Sequence, residues 1–171
     1  MALGLTAYAP LDPWAYAIHL KVNILEFDKL GLPTKAVRQL TVVDGDSWSA
    51  MTLKSGDTFA IVINPSHALT RQRSDLMHEL AHVELRHVPA RVEVSESGLL
   101  LLSDYSDEQE QEADWLGAAL LLPRDGLVRL RVGRKSTAEI ATYYGVSEAL
   151  CEWRLRMTGV DVQMRRAHPR L

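Results

Sequence analysis

The string His78-Glu79-Leu80-Ala81-His82 lies inside a segment, residues 70–87, in which Leu76, Leu80, Val83 and His87 recur at helical spacing along one stripe. On a helix, two histidines four positions apart stand about 40° apart around the axis, so both imidazoles can reach one ion. Glu79 projects from nearly the same face, where it can accept a proton from a water held at that ion. Zinc takes neutral histidine nitrogens readily and imposes no geometry of its own. A catalytic zinc also needs a third protein ligand and an open position for water. The chain must therefore bury this helix on one side and bring a second ligand-bearing element alongside it. A chance match to the string is expected on the order of once in a hundred chains of this His and Glu content. Its place mid-helix, beside an apolar stripe, is where a site on a buried helix belongs.

No further histidine follows at the short spacing of a metzincin. His87 lies five beyond His82; on a continuing helix it points about 140° away from His82 and is expected to serve structure only. The acids of residues 107–114 are better candidates: Asp107, Glu108, Glu110, Glu112 and Asp114 precede an apolar stretch on a predicted helix. Ala113, Leu116 or Gly117, and Leu120 define its inward face at steps of three and four. Three residues back along that face lies Glu110. Glu112 extends the face less well, toward Trp115, Leu116 and Ala119. Glu110 is favoured, with Glu112 as the alternative. The expected ligands are His78, His82 and Glu110, a His₂Glu set of gluzincin type, with Glu79 as the catalytic base.

The remaining elements follow from caps and periodicity. Asp12-Pro13 opens a helix to about Leu20. Val22–Phe27 reads as a short strand, and Leu32-Pro33-Thr34 starts a second short helix to about Leu40. Ser49–Lys54 and Thr58–Asn64 flank Ser55-Gly56-Asp57 as a hairpin whose second strand is apolar on both faces. A substrate strand could add to the edge of that hairpin. Pro89 is expected to end the His-bearing helix. Residues 90–105, with the run Leu99–Leu102, read as a short strand or ordered loop. Ser106 and Gln109 form a capping box for the helix that stops at Pro123. Two further helices follow: Ser136 with Glu139 caps the first, Gly145 ends it, and Ser147 caps the second. The tail after Gly159 is expected to be loosely ordered. The fold class is α+β: a small antiparallel sheet packed on the His-bearing helix, followed by a helical, helix-turn-helix-like region. Residues 1–125 are expected to form the catalytic domain and residues 126–171 a helical extension packed on it.

With 171 residues, 47% of them apolar and 24% charged, the chain can build a core and is not disordered. The net charge of −3 hides an asymmetry. Residues 1–120 hold 9 Lys and Arg against 17 Asp and Glu, whereas residues 121–171 hold 10 against 5. A basic tail can meet nucleic acid or dock on its own acidic front half; docking is the simpler expectation. The lone Cys151 forbids an internal disulfide, fits a reducing compartment and, beside Leu150 and Trp153, reads as a core thiol. The first sixteen residues carry Asp12 and no Lys or Arg, unlike a secretory signal, and no apolar run approaches a membrane span. The expected location is cytoplasmic, with no membrane association.

The sequence resembles the ImmA/IrrE family of metallo-endopeptidases. The resemblance begins near Ile61-Val62-Ile63-Asn64 and runs through the His78–His82 string. It continues in Glu110-Gln111-Glu112-Ala113-Asp114-Trp115-Leu116-Gly117-Ala118-Ala119-Leu120-Leu121-Leu122-Pro123, and again from Ile140-Ala141 through Tyr144-Gly145-Val146-Ser147 to Arg154-Leu155. The family pattern E-x-x-A-N-x-F-A-x-x-L-L-M-P places its ligand at Glu110. Asp114, Leu116 and Gly117 depart from its Asn, Phe and second Ala, and Gln72–Met77 departs from the run that usually precedes the first His. The resemblance implies a zinc endopeptidase whose protein substrate is a helix-turn-helix repressor of phage, mobile-element or stress genes. A rival reading uses the helix pair 136–157 for DNA, with Arg129, Arg131, Arg134, Lys135, Arg154 and Arg156 as its charge. A third is a binding module with a structural zinc. Direct nucleic-acid binding is not expected. Tyr143 and Tyr144 are candidate donors to the oxyanion of the reaction.

Overall fold

The computed structural model describes residues 4–88, 91–94 and 100–167. Along these run α1 (Pro13–His19), β1 (Asn23–Leu25), α2 (Thr34–Arg38), β2 (Ala50–Ser55), β3 (Thr58–Ile63), α3 (Leu69–Leu85), β4 (Arg91–Val94), β5 (Leu100–Ser103), α4 (Asp107–Leu121), α5 (Arg124–Val132), α6 (Thr137–Tyr144), α7 (Glu148–Thr158) and α8 (Val160–Ala167). The class is α+β.

The strands form one sheet in the order β1-β3-β2-β5-β4. All neighbours are antiparallel except β1 and β3, which run parallel with Ile24 opposite Ile61. The sheet is therefore mixed. Parallel pairing needs a long crossover, and the segment between β1 and β3, with α2 and β2 in it, supplies one. The hairpin itself has no free long edge: β5 pairs along β2 at Thr52–Lys54, and β1 pairs along β3. The substrate strand expected there would meet outer sides of the hairpin already paired at Thr52–Lys54 and at Ala60–Val62. Where β3 ends, the buried Asn64 turns the chain. Its amide donates to the carbonyls of Gly45 (2.6 Å) and Trp48 (2.9 Å), and its oxygen accepts from Ser66 N (3.0 Å). This fixes the entry to α3.

The helix α3 divides two apolar clusters. Leu76 and Leu80 face the sheet side, with Ala17, Val22, Ile61 and Ile63. Met77 faces the other way, into a cluster with Leu121, Leu122, Leu127, Ile140, Tyr144, Cys151, Leu155 and Val160 from the C-terminal helices. Burial on both sides explains why His82, between them, is only 2% exposed. Cys151 is a core thiol, fully buried, and that burial pushes it up to about 11. Arg86 ends α3 in the left-handed region (φ 56°), and His87 N donates back to the His82 carbonyl at 3.0 Å. Pro89 lies outside the described residues.

The capping box at Ser106 and Gln109 starts α4, which lies against α3 through Gly117. A Cβ on Gly117 would stand 3.5 Å from the Met77 carbonyl and 3.6 Å from His78 N. That is ordinary contact, so Gly117→Ala should be accepted and stabilise by up to about 1 kcal/mol through helix propensity. Gly117→Leu should push α4 off α3, destabilise by about 1–3 kcal/mol and pull Glu110 from the histidines. Denaturant melts of the two variants test this; equal behaviour would contradict it.

In the C-terminal half, Ser136 and Glu139, Gly145 (φ 66°) and Ser147 delimit α6 and α7. After Gly159, residues 160–167 are helical rather than loose. They form α8, held by the buried Val160 and by Asp161, which accepts from Arg131 Nε at 2.8 Å. Among the described residues no helix is long and apolar enough to cross a membrane.

Candidate metal centre

Three donors converge between α3 and α4. His78 Nε2 and His82 Nε2 are 3.0 Å apart. Glu110 brings Oε2 to 3.1 Å from His78 Nε2 and Oε1 to 3.7 Å from His82 Nε2. Of the described His, Cys, Asp and Glu residues, these form the one group able to hold a metal, with donor atoms within 4.8 Å of one another. Glu112, two residues further along α4, is not in the group; it pairs with His87 at 3.0 Å.

The spacing fits a metal. Ligands about 2.0–2.1 Å from a tetrahedral zinc stand roughly 3.3–3.4 Å apart, and the observed separations lie on either side of that. The chemistry fits too. Asp114 Oδ1 lies 2.9 Å from His78 Nδ1. A carboxylate only accepts, so His78 Nδ1 carries a hydrogen, and in the neutral ring Nε2 turns a lone pair into the gap. The His82 ring is held to about 3, first by burial and then by the closeness of the His78 and His87 imidazoles, so it is neutral over the working range of pH. Two neutral nitrogens and a carboxylate form the donor set that zinc prefers.

Glu79 is half-buried against the sheet, and Thr52 Oγ1 on β2 donates to its Oε2. Burial holds its carboxyl above the ordinary carboxylate range, opposed by the Thr52 hydrogen bond and by His78. A raised proton affinity suits a group that must take a proton near neutral pH. The charge of a dication beside it would draw it back down.

Two neighbours of the site carried no sequence signal. Thr52 lies on an ordinary-looking strand. Tyr105, just ahead of the α4 cap, stacks on His82 with ring centroids 3.8 Å apart and planes 23° apart. Burial, with Glu79 and Glu110 nearby, pushes its hydroxyl up to about 12, so it stays a donor. The tyrosines expected here are elsewhere. Tyr144 is buried in the helical core, its hydroxyl donating to the Tyr8 carbonyl at 3.0 Å, and Tyr143 is exposed on α6. His87 also departs from expectation. The left-handed turn at Arg86 breaks the helical extrapolation and folds His87 back, its Nδ1 2.9 Å from His82 Nδ1.

A histidine pair and a glutamate on one buried helix, met by a carboxylate from the next, make this a metallopeptidase-type protein. More particularly, residues 37–156 match the model of the Peptidase_M78 family, described as the IrrE N-terminal-like domain, and the chain belongs to that family. No curated protein and no solved structure matches the chain.

Proposed function

We propose that the chain is a zinc-dependent endopeptidase of the cytoplasm, and that its substrate is a helix-turn-helix transcriptional repressor of phage, mobile-element or stress genes. The observation that carries the reading is the convergence of His78, His82 and Glu110 beside Glu79 in a member of a peptidase family. His78, His82 and Glu110 hold the zinc, which, when bound, supplies Lewis acidity toward the scissile carbonyl and makes water a stronger acid. Glu79 takes the proton of the attacking water as the new C–O bond forms. It then returns that proton to the leaving nitrogen as the C–N bond breaks. Thr52 anchors Oε2 of Glu79, so that Oε1 is left to carry the proton. Residues 1–125 are the catalytic part, and residues 126–171 a helical extension that serves as scaffold or docking surface.

The DNA-binding alternative has the α6–α7 pair in its favour, but three of its six charges are engaged within the chain. Arg131 pairs with Asp161, Lys135 with Glu139 at 2.7 Å, and Arg154 is 6% exposed, its Nε donating to the Leu122 carbonyl. The test mixes zinc-loaded protein with a candidate repressor. Cleavage that stops on chelation is expected, together with no specific duplex binding at physiological salt. Tight, sequence-specific and steeply salt-dependent duplex binding that survives chelation would overturn the proposal in favour of the regulator.

A further inference from the structure

Behind His82 two side chains stand in line. His87 Nδ1 is 2.9 Å from His82 Nδ1, and His87 Nε2 is 3.0 Å from Glu112 Oε2. The His87 side chain is 6% exposed, whereas that of Glu112 is 65% exposed. The hydrogens along this line can be assigned. Glu112 only accepts, so His87 Nε2 carries a hydrogen. With one hydrogen on each ring, His87 Nδ1 is bare and His82 Nδ1 must donate to it. His82 Nε2 is then left bare, facing His78 and Glu110.

We propose that His87 and Glu112 form a relay that fixes His82 in the tautomer and ring orientation a metal requires, which makes both of them positioning residues of the centre. The inference rests on the metal reading above. Both histidines of the pair are thereby held at Nδ1: His78 directly by Asp114, His82 through an interposed imidazole. The interposed ring has a physical reason. His82 is too deep for a carboxylate to reach without being stripped of water, which is costly for a charge. With His87 between them, the Glu112 carboxylate stays in solvent while its hydrogen-bonding effect reaches the buried ring. The backbone serves the same end, since the turn at Arg86 ties His87 N to the His82 carbonyl and brings the two rings edge-on, with planes 73° apart. Two residues apart on α4, Glu110 and Glu112 address opposite nitrogens of His82, one directly and one through His87.

The test is zinc affinity by chelator competition for the unaltered protein, Glu112→Ala, His87→Phe and His87→Asn, with nitrogen-15 spectra of the histidine rings in the zinc-loaded state. Glu112→Ala and His87→Phe should weaken zinc about tenfold to a hundredfold, as loss of such outer partners does. His87→Asn, whose amide oxygen can still accept from His82 Nδ1, should recover most of the loss. The unaltered protein should show a hydrogen on His82 Nδ1, with a resonance that shifts in Glu112→Ala. Because Glu112 is exposed, its variant tests the relay even where His87→Phe fails to fold. Unchanged affinity in Glu112→Ala, or a His82 Nδ1 without hydrogen, would overturn the relay while leaving the metal reading intact. Absence of zinc binding in the unaltered protein would remove the metal reading and the relay with it.

Discussion

Glu79→Gln is expected to lower peptide hydrolysis by about 10²–10⁴-fold, the span that a positioned general acid and base contributes, and to leave the metal in place. The amide keeps the shape of the side chain, and its oxygen can still accept the hydrogen bond that Thr52 donates. It cannot take a proton from water. Glu79 is outside the donor group of His78, His82 and Glu110, so its replacement removes no ligand. Turnover and metal content measured on the same sample separate the two roles. Loss of metal from the variant would make Glu79 a ligand or a structural group, and near-normal turnover would remove it from the chemistry.

The other large effect is expected at Glu110. Glu110→Gln replaces a charged oxygen donor 3.1 Å from His78 Nε2 with a neutral amide. It should weaken zinc by more than the roughly tenfold to hundredfold typical of losing an outer partner. Glu112→Gln should weaken it much less, because Glu112 meets His87 and not the donor group, and a glutamine oxygen can still accept from His87 Nε2. Competition titrations of both variants give the ranking directly. The reverse order would mean that α4 is rotated by about 160° from the phase described, two residues being about 200° on a helix.

Much of this arrangement could be read from the sequence because local rules and tertiary demands agree there. The caps at Asp12, Ser106, Ser136 and Ser147 each accept from a backbone N–H at the start of their helix, as their residue types require. Glu110 could be phased because Ala113 and Gly117 are buried on its face. Other parts depended on partners distant in sequence. Residues 124–132 carry Gly126 and two valines, a poor helix by propensity, yet they form α5 because Gly126 and Leu127 are buried. Residues 160–167 become helical through Val160 and the ion pair of Asp161 with Arg131, contacts that no local window contains. The helical wheel placed His87 wrongly because it assumed that α3 continued, whereas the chain turns left-handed at Arg86, a residue with no glycine-like signal. Thr52 and Tyr105 gain their roles only when β2 and the lead into α4 are brought to α3.

Every role proposed for these side chains depends on a metal held by His78, His82 and Glu110. Elemental analysis of protein purified without chelator tests it most directly. About one zinc per chain is expected, as a single His₂Glu site holds, with its loss in His78→Ala and in His82→Ala while both variants remain folded. No divalent metal after reconstitution, or an undiminished zinc content in both histidine variants, would contradict it.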